Sequence, residues 1–144
     1  MNKASLLICL ILGNLLSLGV LASEAQNIKQ CAAWNINYSN AKTLGVRLKM
    51  MARKNDSSGL AAQLHYPLQV NITQKPVQHL IINDQDDFIA HYKTVFNDKL
   101  QKKLAAADVK KNIFCNAQGG MFASGLVWFN PYDNILLINV INTP

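Results

Sequence analysis

His65, His79 and His91 are the imidazoles available for acid–base work in this chain of 144 residues. His91 follows Asp87 by four positions, a spacing at which two side chains meet on one face of a helix. An imidazole oriented by a carboxylate can act as a general base, and Tyr92 beside it would supply a phenolic acid. The candidate catalytic set is therefore Asp87, His91 and Tyr92. The competing reading places Asp87 in the first turn of a helix, where a carboxylate serves the dipole and His91 merely flanks it. That reading is the better supported, and the chain is expected to be non-catalytic. Glu24 is the sole glutamate, so paired-glutamate chemistry is excluded. There is no Ser-His-Asp signature, phosphate loop or CxxC pair, and the His and Asp residues lack metal-ligand spacing. No metal and no cofactor is expected.

Residues 1–25 read as a secretory signal peptide. Lys3 gives the positive start, Leu6–Leu12 is an unbroken apolar run continued by Leu15–Leu21, and Ala22, Ser23 and Ala25 are small. Cleavage after Ala22 or after Ala25 fits equally. A membrane anchor of similar length is the rival, weakened by Gly13, Asn14, Ser17 and Gly19. The expectation is an exported protein, periplasmic or secreted, with one domain over residues 26–144. Cleavage would remove Cys9 and leave Cys31 and Cys115, an even pair in an oxidising compartment, expected to form a disulfide.

Composition narrows the partners. Half the residues are hydrophobic and 15% are charged, which excludes intrinsic disorder. The net charge of +6 comes from 14 basic and 8 acidic side chains. The basic excess falls into Arg47/Lys49/Arg53/Lys54, Lys99/Lys102/Lys103 and Lys110/Lys111. Helix C-termini account for much of it. Its functional reading is a weak attraction to anionic envelope polymers or lipid headgroups. Export, and the lack of aromatics among the charges, argue against nucleic acid.

Elements must position these groups. From Ile28 to Arg53 apolar residues recur at steps of three and four, predicting one long helix. Asn55-Asp56-Ser57-Ser58 caps a short second helix from Gly59 to Leu64, ended by Pro67. Leu68, Val70 and Ile72 alternate with polar residues as a half-buried strand, and Val77–Ile82 is a second. Asn83 or Asp84 caps a third helix reaching Ala107, with Phe88, Tyr92, Val95, Phe96 and Leu100 facing in. Strands are expected at Ile113–Phe122, Leu126–Asn130 and Ile135–Ile141. The class is α+β, in the order ααββαβββ, with helices packed on one face of an antiparallel sheet.

That order resembles the NTF2-like (cystatin-like α+β cone) superfamily over nearly all of the exported part. Lys54–Leu64 looks like its helix-turn-helix, a polar turn before a Leu-Ala-rich helix. His65–Asn71, Asp87–Tyr92, Gly120-Met121, Val127-Trp128-Phe129 and Ile141-Asn142 are similar to a subgroup of small exported bacterial proteins of unassigned function. Where that subgroup often has a Gly-Asn-Gly-Glu turn, this chain has Ala123-Ser124-Gly125-Leu126. The resemblance implies a curved sheet enclosing a pocket, in a superfamily that includes isomerases, dehydratases and non-catalytic binders.

Strand alternation then assigns faces. If Cys115 faces the helices to meet Cys31, so do Ile113, Ala117 and Met121 in a continuous strand, and Trp128 opposite Met121 also turns in. Tyr92, Met121, Trp128 and Tyr66 are the candidate ligand pocket, suited to a small apolar ligand. Phe122, Val127 and Phe129 fall on the outer face, an apolar patch for a homodimer. The expected function is an exported, non-catalytic small-ligand or partner-binding module. The alternatives are a small-molecule isomerase or dehydratase with a pocket acid–base pair, and an envelope interaction protein acting through its basic surface.

Overall fold

A computed structural model describes residues 24–144; the signal-peptide reading of 1–25 and Cys9 lie outside them, apart from Glu24 and Ala25. The first described helix, α1, covers 24–32 and is followed by α2, Tyr38–Lys54. The long helix expected from periodicity is thus two. Asn35 adopts φ 57°, the Ile36 N–H donates to the Cys31 carbonyl and the Asn35 N–H to that of Ala32. This pair of bonds around a left-handed Asn is a Schellman stop. Asn37 then caps α2, its side chain accepting from the Asn40 N–H at 3.0 Å.

Asn55, at φ 52°, ends α2 in the same manner, and Asp56 caps α3, Ser57–Ala61. The Asp56 carboxylate accepts from the Gly59 N–H at 2.9 Å and lies so close that a Cβ at Gly59 would strike it. The third expected helix is three pieces: α4, Gln85–Ala90; α5, Tyr92–Val95; and α6, Asp98–Ala106. Asn97 restarts the helix by accepting from the Leu100 N–H, and the buried Gln101 amide donates to the Phe96 carbonyl freed at the break. The apolar face survives both breaks: Phe88, Tyr92, Val95, Phe96, Leu100 and Leu104 are all buried.

The strands are β1, Leu64–Ile72; β2, Gln78–Ile82; β3, Ile113–Asn116; β4, Gly119–Phe122; β5, Val127–Tyr132; and β6, Ile135–Thr143. They form one sheet in the order β2-β1-β6-β5-β4-β3. The expected antiparallel sheet is in fact mixed, because β1 and β6 run parallel. Nor is the sheet a cone. It is open and uncurled, with β2 and β3 as separate edges, and this overturns the NTF2-like resemblance and the enclosed pocket that it implied. Phe88, Phe96, Phe122 and Phe129 fill the space between helices and sheet.

The expected strand Ile113–Phe122 is a hairpin. The Asn116 side chain accepts from the Gln118 N–H at 2.9 Å, and the chain reverses through Ala117-Gln118 with Gly119 at φ 130°. Cys115 therefore pairs with Gly120, and Ile113 with Phe122. Reversal shifts the inward parity by one residue in β4 and in β5 after it. Val70, Ile141, Val127, Phe122 and Ile113 lie side by side across five strands, and all are fully buried. The opposite face carries the row Ile81, Gln69, Val140, Trp128, Met121 and Phe114. Two tight turns complete the sheet: Ser124-Gly125 and Asp133-Asn134 all have positive φ, as two-residue hairpin turns of type I′ require.

Cys31 and Cys115 are joined in a disulfide that ties α1 to β3 inside the core. Lys49 and Arg53, on α2, donate to the Ala107 and Ala105 carbonyls at the end of α6, so part of the basic excess is helix capping. No described helix is long and apolar enough to cross a membrane.

Candidate functional site on the outer sheet face

Asp87 and His91 do meet, with Nδ1 and Oδ1 at 3.0 Å. They lie on the exposed surface of α4. Asp84 Oδ1 accepts from the Asp87 N–H at 2.8 Å, and Asp87 Oδ2 accepts from the Asn83 N–H at 2.9 Å, a reciprocal helix cap. The bond from Asn83, with the adjacent His91, holds the Asp87 carboxyl below its ordinary range. A carboxyl so depressed stabilises the fold above the unfolded-state value, and loses that contribution as pH falls through the folded-state value. Asp87→Asn is therefore expected to lower the urea midpoint at neutral pH. The deficit should shrink on acidification through the carboxylate range; one that stays constant at every pH would contradict this role.

Tyr92 does not join that pair. Its ring is buried between Phe88 and Phe96, with centroids at 5.9 and 5.8 Å, and its hydroxyl is buried without a partner. Burial pushes its phenol up, with Asp56 adding to the effect. Tyr66 donates to the Ala61 carbonyl at 3.3 Å, and burial, reinforced by Asp84, pushes its phenol up to about 12. Both tyrosines belong to the helical side of the molecule. Met121 and Trp128 pair with each other as expected, but on the outer face, so the four proposed pocket residues lie on opposite sides of the sheet. The apolar dimer patch is corrected with them: Phe122, Val127 and Phe129 are at most 1% exposed and belong to the core.

What the outer face does assemble is a different set. The Trp128 indole N–H donates to the Gly125 carbonyl at 3.1 Å, and the Asn142 amide donates to the same oxygen at 2.6 Å. A carbonyl only accepts, so Asn142 Oδ1 must face Asn71, whose Nδ2 donates to it at 2.7 Å. Asn71 Oδ1 is then an acceptor for Gln69 Nε2 at 3.1 Å and for His79 Nδ1 at 2.8 Å. One backbone oxygen thus sets the direction of every hydrogen bond in the chain and places the His79 proton on Nδ1.

Beside this chain lies an open groove of about 220 Å³, lined by Asn71, Gln118, Trp128, Asn139, Val140 and Asn142. Asn139 is the extra residue of a bulge in β6, where the register to β5 shifts between Trp128 and Phe129. Its Oδ1 is buried and has no hydrogen-bond partner. A larger cleft of about 530 Å³ at the end of α6 is lined by alanines, Leu126 and the polar side chains of Lys103, Asp108, Asn112 and Ser124, with no aromatic ring. Sequence reasoning named Trp128 but missed the amides. Their signal was the polar phase of β1, where Gln69 and Asn71 alternate with Leu68, Val70 and Ile72. Among the described residues no three His, Cys, Asp or Glu side chains converge. No family model, curated protein or solved structure matches this chain.

Proposed function

We propose that this chain is an exported, non-catalytic binding module whose recognition surface is the outer face of the sheet. The observation that carries the reading is the clamp on the Gly125 carbonyl. It fixes an indole and a chain of amides side by side before any ligand arrives. Preorganised side chains lose little freedom on binding, which is where recognition gains most. The Cys31–Cys115 bridge agrees with an oxidising compartment, and residues 1–25 have the composition of an export signal. A cut after Ala22 would keep Glu24, whose carboxylate is 2.8 Å from Lys42 Nζ, whereas a cut after Ala25 would remove it. The Asp87–His91 pair is solvent-accessible and engaged in capping α4, which disfavours the isomerase alternative.

The test is native mass spectrometry of protein purified gently from the envelope of its own host. The expected result is a non-protein adduct that is present on the wild type and absent from Trp128→Ala and Asn142→Ala, both of which should still unfold cooperatively and stay folded under the conditions of purification. An adduct retained by both variants, or none at all, would refute the proposal.

A further inference from the structure

We propose that the groove beside Trp128 takes a neutral saccharide, with one pyranose ring seated against the indole and its hydroxyls met by the amides of Asn71, Gln118, Asn139 and Asn142. The proposal rests on the outer face being the recognition surface, and it names the ligand class. The lining is an indole, a valine and four amides, and none of these six residues is charged. An anionic polymer or phosphate would find no cation among them. An acyl chain would cover the Gln118 and Asn139 amides, which have no side-chain partner within the protein, at about 1–3 kcal/mol for each group left unsatisfied. A sugar hydroxyl both donates and accepts, as an amide does, so neighbouring hydroxyls and neighbouring amides satisfy one another.

Asn139 Oδ1 sharpens the match. A buried acceptor without a donor is uncommon in folded proteins and calls for an explanation. A hydroxyl group would supply that donor once the Asn139 amide turns toward the groove, and a carboxylate or phosphate would not. Trp128 provides the other half of the recognition. The faces of a pyranose are largely C–H, and C–H groups of slight positive charge pack against the negative face of an aromatic ring. Val140 and Met121, its cross-strand neighbours, hold the indole in place, and its N–H is already committed to Gly125. The volume of about 220 Å³ suits one ring, with the open sides leaving room for a chain to continue.

The experiment uses the Trp34→Phe protein, in which Trp128 is the remaining indole of the domain. Maltotriose, cellotriose and tri-N-acetylchitotriose serve as neutral probes, tri-galacturonate as the anionic one and lauryl alcohol as the apolar one. Emission from Trp128 and the side-chain amide NMR signals of Asn71, Gln118, Asn139 and Asn142 are followed together. At least one neutral trisaccharide should give saturable shifts in both, with a Kd in the millimolar range or tighter. Trp128→Ala, followed by the amide signals, and Asn142→Ala should each weaken it at least tenfold, and Trp128→Phe should retain most of the affinity. The inference is overturned if no neutral probe shifts these signals, if the anionic or apolar probe binds as well, or if affinity survives Trp128→Ala. An envelope adduct lost in Trp128→Ala that proves not to be a sugar would overturn the saccharide alone. An adduct retained by that variant would overturn the recognition surface as well.

Discussion

Replacing Cys31 and Cys115 together by alanine is expected to lower the free energy of unfolding by about 2–5 kcal/mol. The bridge spans a sequence separation of 84, and the chain-entropy estimate for a loop of that length is about 4–5 kcal/mol. Both residues are fully buried, so the double substitution also removes packed sulfur from the core. It frees α1 from β3, an edge strand of four residues with one neighbour in the sheet. Urea unfolding with and without reductant measures the effect. The wild type should lose its advantage when reduced, while the double variant should be indifferent to reductant. A wild-type midpoint that does not move on full reduction would refute the assignment.

The second large effect tests which face of the sheet is which. Phe129→Ala is expected to cost about 3–5 kcal/mol, as emptying a buried aromatic site does. Its ring covers Gly120, where even a methyl group would collide with it, so Gly120→Ala should cost roughly 1–3 kcal/mol by overpacking. Trp128, the adjacent residue, is larger but only half-buried, and Trp128→Ala should cost roughly 1 kcal/mol, mainly the hydrogen bond to Gly125. Chemical denaturation of the three variants decides the matter. A Trp128→Ala penalty larger than that of Phe129→Ala would reverse the facing described here.

These experiments bear on the point at which sequence reasoning failed. Helical periodicity found Phe88, Tyr92, Val95, Phe96 and Leu100, because the breaks at His91 and Asn97 keep the apolar stripe in phase, but it stopped short of the buried Gln101 and Leu104. It did not find the breaks, which depend on single hydrogen bonds such as Gln101 to the Phe96 carbonyl. The half-buried strand β1 and the pairing of Met121 with Trp128 were legible, and so was the disulfide, from the even count of cysteines after residue 25. The facing of β4 and β5 was not. A period of two carries no memory across a reversal, so the unrecognised turn at Ala117-Gln118 exchanged core for surface in both strands. The outer-face set was lost by the same step, since Trp128 was assigned to an interior and the amides beside it were never collected. The parallel pairing of β1 with β6 is a long-range choice that no local pattern encodes.

That pairing also governs the order in which the molecule can assemble. β1 and β6 are neighbours inside the sheet yet stand at opposite ends of the strand sequence, with all the other strands between them. A chain growing from its N-terminus must keep β1 without its inner partner until residues Ile135–Thr143 have been made. Contacts so distant along the chain require loop closure before they return any stabilisation, which slows folding. The sheet therefore stays incomplete, and its inner strand open on one side, until synthesis has passed the last strand.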